Sequence, residues 1–176
     1  KENLKKNLSY MEGWDIDKLA INGAIKNLNS LIKKHDIKIK WKIKNINSLH
    51  KANKSTNLFK NKKLPEFDFI VGNPPYIRIQ HLHERERKYI QKNYDFCKSG
   101  STDIYIAFFQ LALRLLNKEG KCGYITPNTF FTTVTAKDLR QYFELKQNII
   151  QLTNYGSIQL FSNATTYSAI TIFDNQ

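Results

Sequence analysis

Residues 73–76 join an asparagine, two prolines and a tyrosine directly after a short apolar run. The prolines lack a backbone N–H and hold the chain rigid and extended. The Asn73 side-chain oxygen and the Pro74 carbonyl could accept both hydrogens of a planar amino group, and Tyr76 offers a flat face for a base. The exocyclic amine of adenine is such a group, and two acceptors would pull its nitrogen towards tetrahedral geometry. The segment therefore indicates transfer of a methyl group to a planar amine that is activated by orientation, without a general base. An ordinary proline turn is the alternative.

Strand and helix patterns alternate along the chain, and residues 73–76 follow one of the strands. Apolar spacing predicts helices over 21–32, 104–115 (closed by Glu119 and Gly120) and 139–145. It predicts strands at 8–15, 41–46, 67–71, 122–126, 148–154 and 167–173, with a turn near Gly156. Residues 50–63 are lysine-rich and aperiodic, which predicts a loop, and residues 77–102 mix basic and aromatic residues. This alternation predicts an α/β fold in which helices cover both faces of a mostly parallel sheet.

Four residues of interest each follow a predicted strand: Asp15, Asn47, Asn73 and Pro127. Ligands of α/β sheets bind at the carboxyl ends of the strands. We therefore expect these positions to belong to one site.

The charge of the chain favours a polyanionic partner. Its 28 basic and 15 acidic residues give a net charge of +13. Lysine and arginine contacts displace counterions from phosphates, so nucleic acid is a natural partner. A solvated, lysine-rich surface is the alternative.

Composition excludes several classes of protein. The 176 residues, 41% of them hydrophobic, suit one domain with a core and exclude a disordered chain. No apolar run is long enough to span a membrane, and the N-terminus has no signal sequence. The two cysteines, Cys97 and Cys122, are too few for a disulfide framework and do not have the spacing of metal ligands. The sequence contains no nuclease metal motif. We expect a cytoplasmic protein that binds neither metal nor membrane.

Five segments resemble motifs of the amino-methyltransferases, and they occur along the chain in the order of the family. Residues 68–77 resemble motif IV, residues 13–17 motif II and residues 45–49 motif III; residues 102–105 and 123–130 resemble motifs V and VI of the gamma-type adenine-N6 enzymes. These enzymes belong to bacterial restriction–modification systems, particularly the type IIG-like ones that carry nuclease and methyltransferase on one chain. The resemblance implies a Rossmann-like, S-adenosylmethionine-dependent fold with an antiparallel C-terminal hairpin. It also implies site-specific methylation of the N6 of a flipped adenine in double-stranded DNA.

The resemblance also implies a cofactor site at two strand ends and at Asn73. Asp15, beside Ile16, would hold the ribose hydroxyls of S-adenosylmethionine. Asn47, beside Ser48, would accept from the adenine amine of the cofactor, although the family usually has aspartate there. A simple helix N-cap is the alternative for Asp15.

The remaining site residues concern the target base and the DNA. Asn73, Pro74 and Tyr76 would be catalytic, and Pro75, Tyr76 and Phe161 would contact the flipped adenine, with the two aromatic rings on opposite faces of the base. For Phe161 the alternative is a core aromatic beside a turn.

Two basic stretches could contact phosphates. Arg78, together with Arg85, Arg87 and Lys88, lies immediately after Tyr76, and we expect phosphate or target contact there. For residues 50–63 surface solvation is an equal alternative.

Residues 1–176 would carry motifs II to VIII of one catalytic domain. The family's motif I, a glycine-rich turn after the first strand, and its target-recognition domain are not found in the sequence. We therefore expect the chain to work with further parts of the same polypeptide: an upstream cofactor motif and a downstream recognition domain, with a fused nuclease as an open alternative. In the family sheet that first strand lies between the strands of motifs II and IV. Without it those two strands either pair directly or leave open edges.

Other functions remain open from the sequence. Release-factor glutamine methyltransferases and some ribosomal-RNA guanine methyltransferases share the Asn-Pro-Pro-Tyr segment, whereas cytosine-N4 enzymes more often carry serine at position 73. A non-catalytic, basic DNA-binding module is the alternative from a different class.

The incomplete cofactor site leads to a first prediction. The chain by itself should bind S-adenosylmethionine weakly or not at all and should have no activity. Isothermal titration calorimetry checks this, and a micromolar complex with residues 1–176 would contradict it.

Overall fold

A computed structural model describes residues 1–51, 64–98, 101–161 and 166–176. The chain divides into two compact units, Lys1–Lys51 and Ala52–Gln176. Most of the predicted loop at 50–63 lies outside the described residues.

The first unit pairs two short parallel strands. Its elements are α1 (Glu2–Ser9), β1 (Glu12–Asp15), α2 (Lys18–Ile32), β2 (Lys42–Asn45) and α3 (Ser48–Lys51), and β1 pairs with β2 in parallel from Glu12↔Lys42 to Asp15↔Asn45. The helix over 21–32 and the strand over 41–46 are confirmed. The strand predicted from residue 8 begins only at Glu12, because residues 8 and 9 complete a helix that the apolar pattern did not reveal.

The second unit contains a mixed four-stranded sheet. Its elements are β3 (Phe67–Gly72), α4 (Glu84–Asn93), α5 (Ile104–Leu115), β4 (Leu116–Pro127), α6 (Lys137–Lys146), β5 (Ile149–Asn154) and β6 (Ser168–Asp174). The strand order is β3-β4-β6-β5. β3 and β4 are parallel, whereas β6 is antiparallel to both β4 and β5. With β1 and β2, two of the four described strand pairings are parallel, so the sheet structure is mixed and not mostly parallel.

The boundary between α5 and β4 differs from the prediction. The helix ends at Leu115 and the strand begins at Leu116, whereas we expected Glu119 and Gly120 to close the helix. Parallel pairing with β3 overrides the glycine signal, because Leu116 already pairs with Phe67. A side chain at position 120 would lie 2.7 Å from the Phe67 carbonyl oxygen, so this glycine serves a close approach of two strands.

Aromatic rings form the core of this unit. Phe109 on α5 is fully buried, and its ring centroid lies 5.4–5.8 Å from those of Tyr124, Phe130, Phe143 and Phe173. Mostly tilted or edge-on arrangements of this kind add to the burial of apolar surface. The rings pack α5 and α6 on the face of the sheet formed by β4 and β6.

The strands β1 and β3 each have an open edge in the described part of the chain. β1 pairs with β2 alone and β3 with β4 alone, so the two strands do not pair with each other. Phe69 and Val71 on β3 are 76% and 84% exposed. Of the two outcomes expected without a strand between them, the structure shows the open edges. No described helix has both the length and the hydropathy that a membrane crossing needs.

Gly120→Ala tests the close approach of β3 and β4. The new Cβ would meet the Phe67 carbonyl oxygen at 2.7 Å and Leu116 Cδ2 at 3.0 Å. We expect the free energy of unfolding to fall by about 1–3 kcal/mol, as for other overpacked sites. Urea denaturation measures this, with Gly123→Ala as the matched control, since a Cβ on that β4 glycine has nothing within 4 Å. Equal losses in both variants would contradict the explanation.

Candidate active site

Asn73 stands at the carboxyl end of β3. The strand ends at Gly72, where a Cβ would lie 3.1 Å from the Tyr124 ring. Asn73 is exposed and Pro74 is buried. The Asn73 amide makes no hydrogen bond within the residues that the structure describes, so its oxygen remains available to a ligand. Rigid prolines beyond it keep this polar side chain at the surface.

Tyr76 is fastened to β4 and to α5. Its hydroxyl donates to the Ile125 carbonyl oxygen at 3.3 Å. Its ring meets the Tyr105 ring edge-on, with centroids 6.3 Å apart and an interplanar angle of 81°. Burial raises the pKa of Tyr76, and the nearby Ser168 hydroxyl lowers it in part. The half-buried ring therefore carries a neutral phenol at neutral pH and has a fixed orientation.

The chain beyond Tyr76 is tied to the start of α5. The Ile104 N–H donates to the Ile77 carbonyl at 2.8 Å, and the Ile79 N–H donates to the Thr102 carbonyl at 2.9 Å. These two bonds enclose an antiparallel bridge between residues 78 and 103. The Asn-Pro-Pro-Tyr segment is thus held by β3 before it and by α5 after it.

The basic residues after Tyr76 have different surroundings. Arg78 is exposed and lies beside Asp103, whose pKa is raised by burial and lowered in part by Arg78. Lys88 forms an ion pair with Glu84 at 2.6 Å on α4. α4 itself occupies a region for which no helix was predicted, because only Ile90 on it is buried.

The loop after β4 is fixed by three polar contacts. The Tyr105 hydroxyl and the Thr129 hydroxyl lie 3.5 Å apart. The Arg140 guanidinium donates to the carbonyls of Phe130 and Thr133 at 2.8 and 2.6 Å. Tyr105 thereby connects this loop to the ring of Tyr76.

The first unit brings Asp15 and Asn47 to one edge of its sheet. Asp15 pairs with Asn45, whose side-chain amide donates to the Asp15 and Ile16 carbonyls at 3.2 and 2.7 Å. The exposed Asp15 carboxylate accepts the Asp17 N–H through Oδ1 at 2.7 Å. The N-cap of α2 is Asp17 and not Asp15, so the simple capping alternative for Asp15 is wrong.

The amide oxygen of Asn47 already has a donor. It accepts the Leu49 N–H at 3.0 Å, at the start of α3, where Ser48 is the first residue.

Phe161 lies half-buried in the connection between β5 and β6, where the Gln159 side chain donates to its carbonyl at 3.1 Å. In the described part of the chain the ring contact of Tyr76 is with Tyr105, and none joins it to Phe161. Direct stacking of Tyr76 on Phe161 would have left no room for a base. Among the described residues, no cluster of His, Cys, Asp and Glu could hold a metal ion.

The predicted site residues fall into two groups. The residues assigned to the cofactor's nucleoside (Asp15, Ile16, Asn47 and Ser48) lie in the first unit, and residues 73–78 and Phe161 lie in the second. Sequence reasoning gave no role to Thr129, Asn128 or Arg140, although all three form hydrogen bonds around the site. Asn128 and Thr129 follow Pro127 at the end of a predicted strand, and that position could have indicated a role at the site.

The sequence profile of the Eco57I restriction-modification methylases matches residues 5–161. The chain belongs to this family. It is therefore related to the methylases of restriction–modification systems.

Individual relatives agree with the family and extend beyond the chain. The type II restriction enzyme and methyltransferase RM.Eco57I of Escherichia coli is 31% identical over 113 residues, which is 63% of this chain and 11% of that protein. The chain thus spans about a tenth of the length of that relative.

Solved structures show the same fold. A nuclease-deletion mutant of the Type ISP restriction-modification enzyme LlaGI, in complex with a DNA substrate mimic, has a TM-score of 0.69 at 18% identity; 98% of this chain and 20% of that chain are covered. A Listeria monocytogenes protein assigned to the class I S-adenosylmethionine-dependent methyltransferases has a TM-score of 0.61 at 17% identity, with 93% and 43% covered.

The raised pKa of Asp103 predicts a pH-dependent stability. A carboxyl whose pKa is raised by folding contributes stability below its unfolded pKa, ordinarily 3.8, and loses that contribution as the pH rises through the folded value. Asp103→Asn should remove this loss, so the variant should gain stability relative to the wild type between about pH 3 and pH 7. Urea unfolding of both proteins across this range measures the difference. Asp138→Asn on α6 controls for the loss of one charge, and parallel stability profiles for the wild type and Asp103→Asn would contradict the prediction.

Proposed function

We propose that the protein methylates the exocyclic N6 of a flipped adenine in double-stranded DNA, with Asn73, Pro74 and Tyr76 as its catalytic residues. The observation that carries this proposal is the exposed Asn73 amide at the end of β3, followed by a buried proline and an anchored tyrosine. An amide oxygen that has no donor among the described residues, on a backbone held by two prolines, suits the recognition of an external N–H group.

The residues of the segment divide the task. The Asn73 Oδ1 and the Pro74 carbonyl accept the two amine hydrogens, which localises the nitrogen lone pair. Tyr76 supports one face of the base, and stacking of this kind contributes about 1–3 kcal/mol per base. Pro75 contacts the base edge and Phe161 supports its second face. The contact with Tyr105 and the bond to Ile125 keep the Tyr76 ring in place without the base.

The proposed cofactor site fits S-adenosylmethionine in part. The Asp15 carboxylate is exposed at a strand end with one oxygen committed to Asp17, so its other oxygen suits a ribose diol. Asn47, flanked by Ser48 at the start of α3, would accept from the cofactor's adenine amine through its amide oxygen. Ile16 is 72% exposed and offers an apolar surface beside Asp15. S-adenosylmethionine, when bound, would supply an electrophilic methyl group: the sulfur–methyl bond breaks as the nitrogen–methyl bond forms, S-adenosylhomocysteine leaves with the bonding electron pair, and the surplus amine proton passes to water.

Binding of the methionine end and selection of the DNA sequence belong to further parts of the polypeptide. RM.Eco57I is a restriction enzyme as well as a methyltransferase, and this chain matches 11% of it. We infer that an upstream glycine-rich strand completes the cofactor site and that a recognition domain reads the DNA. The net charge of +13 and the exposed Arg78 suit phosphate contacts. We place the reaction in the bacterial cytoplasm, as part of a restriction–modification system.

Asn73→Ala in the complete polypeptide tests the proposal. Removal of one acceptor from the reacting amine should lower the methylation rate by roughly a hundredfold or more. DNA affinity should change little, because phosphate contacts dominate it. The measurements are transfer of a labelled methyl group to unmethylated DNA, mass spectrometry of the digested nucleosides, and DNA binding by fluorescence anisotropy.

A matched control is Asn22→Ala, which removes an exposed asparagine on α2. It should methylate as the wild type does. N6-methyladenine as the product supports the proposal. If the product is N4-methylcytosine, methylated ribosomal RNA or methylated release-factor glutamine, adenine is not the methyl acceptor, but the role of Asn73 stands. If the protein binds DNA and methylates nothing, it is a binding module.

A further inference from the structure

Asn128 joins the two ends of the connection between β5 and β6. Its backbone N–H donates to the Tyr167 carbonyl at 2.9 Å, immediately before β6. Its side-chain amide donates to the Asn154 Oδ1 at 3.0 Å and to the Gly156 carbonyl at 3.5 Å, where β5 ends. One residue at the end of β4 thus closes the base of the connection that contains Phe161.

The Asn154 side-chain oxygen also orders the start of the connection between β5 and β6. The Asn154 Oδ1 also accepts the Gly156 N–H at 3.0 Å. Gly156 has a φ of +58°, which glycine adopts without strain, and the Ile158 N–H donates to the Tyr155 carbonyl at 3.0 Å to complete the turn. Asn128 therefore bonds to both partners of the interaction that sets the direction of the chain towards Phe161.

The neighbour of Asn128 serves the other aromatic residue of the proposed base site. Thr129 lies within hydrogen-bond distance of the Tyr105 hydroxyl, and the Tyr105 ring contacts Tyr76. Two consecutive residues after Pro127 are thus connected to Tyr76 on one side and to the connection carrying Phe161 on the other. Pro127 fixes its own φ and restricts the residue before it, which makes this a rigid point of attachment.

We propose that Asn128 is a positioning residue for the target base, because its bonds to residues 154, 156 and 167 hold the connection in the arrangement that presents Phe161 to the face of the base opposite Tyr76. This inference rests on the proposed function. Asn128 does not touch the base; it acts through the connection. Its bonds are partly exposed and each is modest, so its effect is the pre-ordering of a segment before DNA binds.

The test uses the complete polypeptide with Asn128→Ala, Asn154→Ala and Phe161→Ala. Asn128→Ala removes the side-chain bonds to residues 154 and 156 and leaves the backbone bond to Tyr167, and this loss corresponds to a change of about fivefold to tenfold. We expect Asn128→Ala and Asn154→Ala each to lower kcat/KM for DNA methylation by about that factor, with the affinity for S-adenosylmethionine unchanged. In the Phe161→Ala background Asn128→Ala should have no further effect, because the ring that it positions is gone.

The matched control is Asn175→Ala. The Asn175 amide donates to the Leu116 carbonyl at 3.2 Å, at the opposite end of the pairing between β4 and β6. This variant removes an equivalent bond but should leave methylation unchanged. An Asn128→Ala variant no slower than Asn175→Ala, or one whose effect adds in full to that of Phe161→Ala, would overturn the positioning role.

Amide hydrogen exchange separates this inference from the proposed function. Asn128→Ala should speed exchange of the Gly156 amide, and Asn175→Ala should not. If the wild-type protein methylates no adenine, the proposed function fails while the exchange result still decides whether Asn128 orders the connection. Unchanged exchange at Gly156 would overturn the ordering whatever the activity.

Discussion

The pairing of β4 with strands on both sides is the constraint on which the site depends. β3 runs parallel to β4 and delivers Asn73 at its end, while β6 runs antiparallel to β4 and returns the chain from the connection that contains Phe161. The Ile125 carbonyl on β4 accepts the Tyr76 hydroxyl, and Asn128 follows where the strand ends. A shift in the register of β4 would therefore displace both aromatic residues of the proposed base site.

The Asn-Pro-Pro-Tyr segment illustrates how a short loop can be rigid and still offer free acceptors. Buried Pro74 and anchored Tyr76 hold the backbone, so the main chain of the segment has little freedom to lose when a ligand binds. Much of the advantage of a catalytic site comes from such prior ordering. A segment that folding has already ordered does not have to be ordered at a cost in free energy when the ligand binds.

The sequence predicted the parts of the molecule that depend on local pattern. The strand at Phe67–Gly72 and the helix at Ile104–Leu115 have continuous or periodic apolar residues, and Asn73 follows that strand as expected. α4 escaped prediction because it buries a single residue, so its pattern is almost wholly polar. The end of α5 was misplaced because Gly120 resembles a helix terminator, while its actual constraint is the Phe67 backbone, far away in sequence.

The roles of individual site residues divide in the same way. Asp15 and Asn73 could be proposed from their positions after strands, because that rule is local. The bonds of Asn128 to residues 154 and 156 link the ends of β4 and β5 across more than twenty residues, and no periodicity indicates such contacts. A role can be predicted from sequence when the residues that define it are close together in the chain, and it needs a structure when they are far apart.

The open edge of β3 affects how the chain behaves in solution. An edge strand presents a row of unpaired N–H and C=O groups, and exposed Phe69 and Val71 flank that row with apolar surface. Two copies that meet along this edge would satisfy both sets of groups at once, so self-association and loss of colloidal stability should increase with concentration. A strand that covers the edge removes this liability, because it pairs the open N–H and C=O groups. A binding partner that contributed such a strand would act as a chaperone for this part of the molecule.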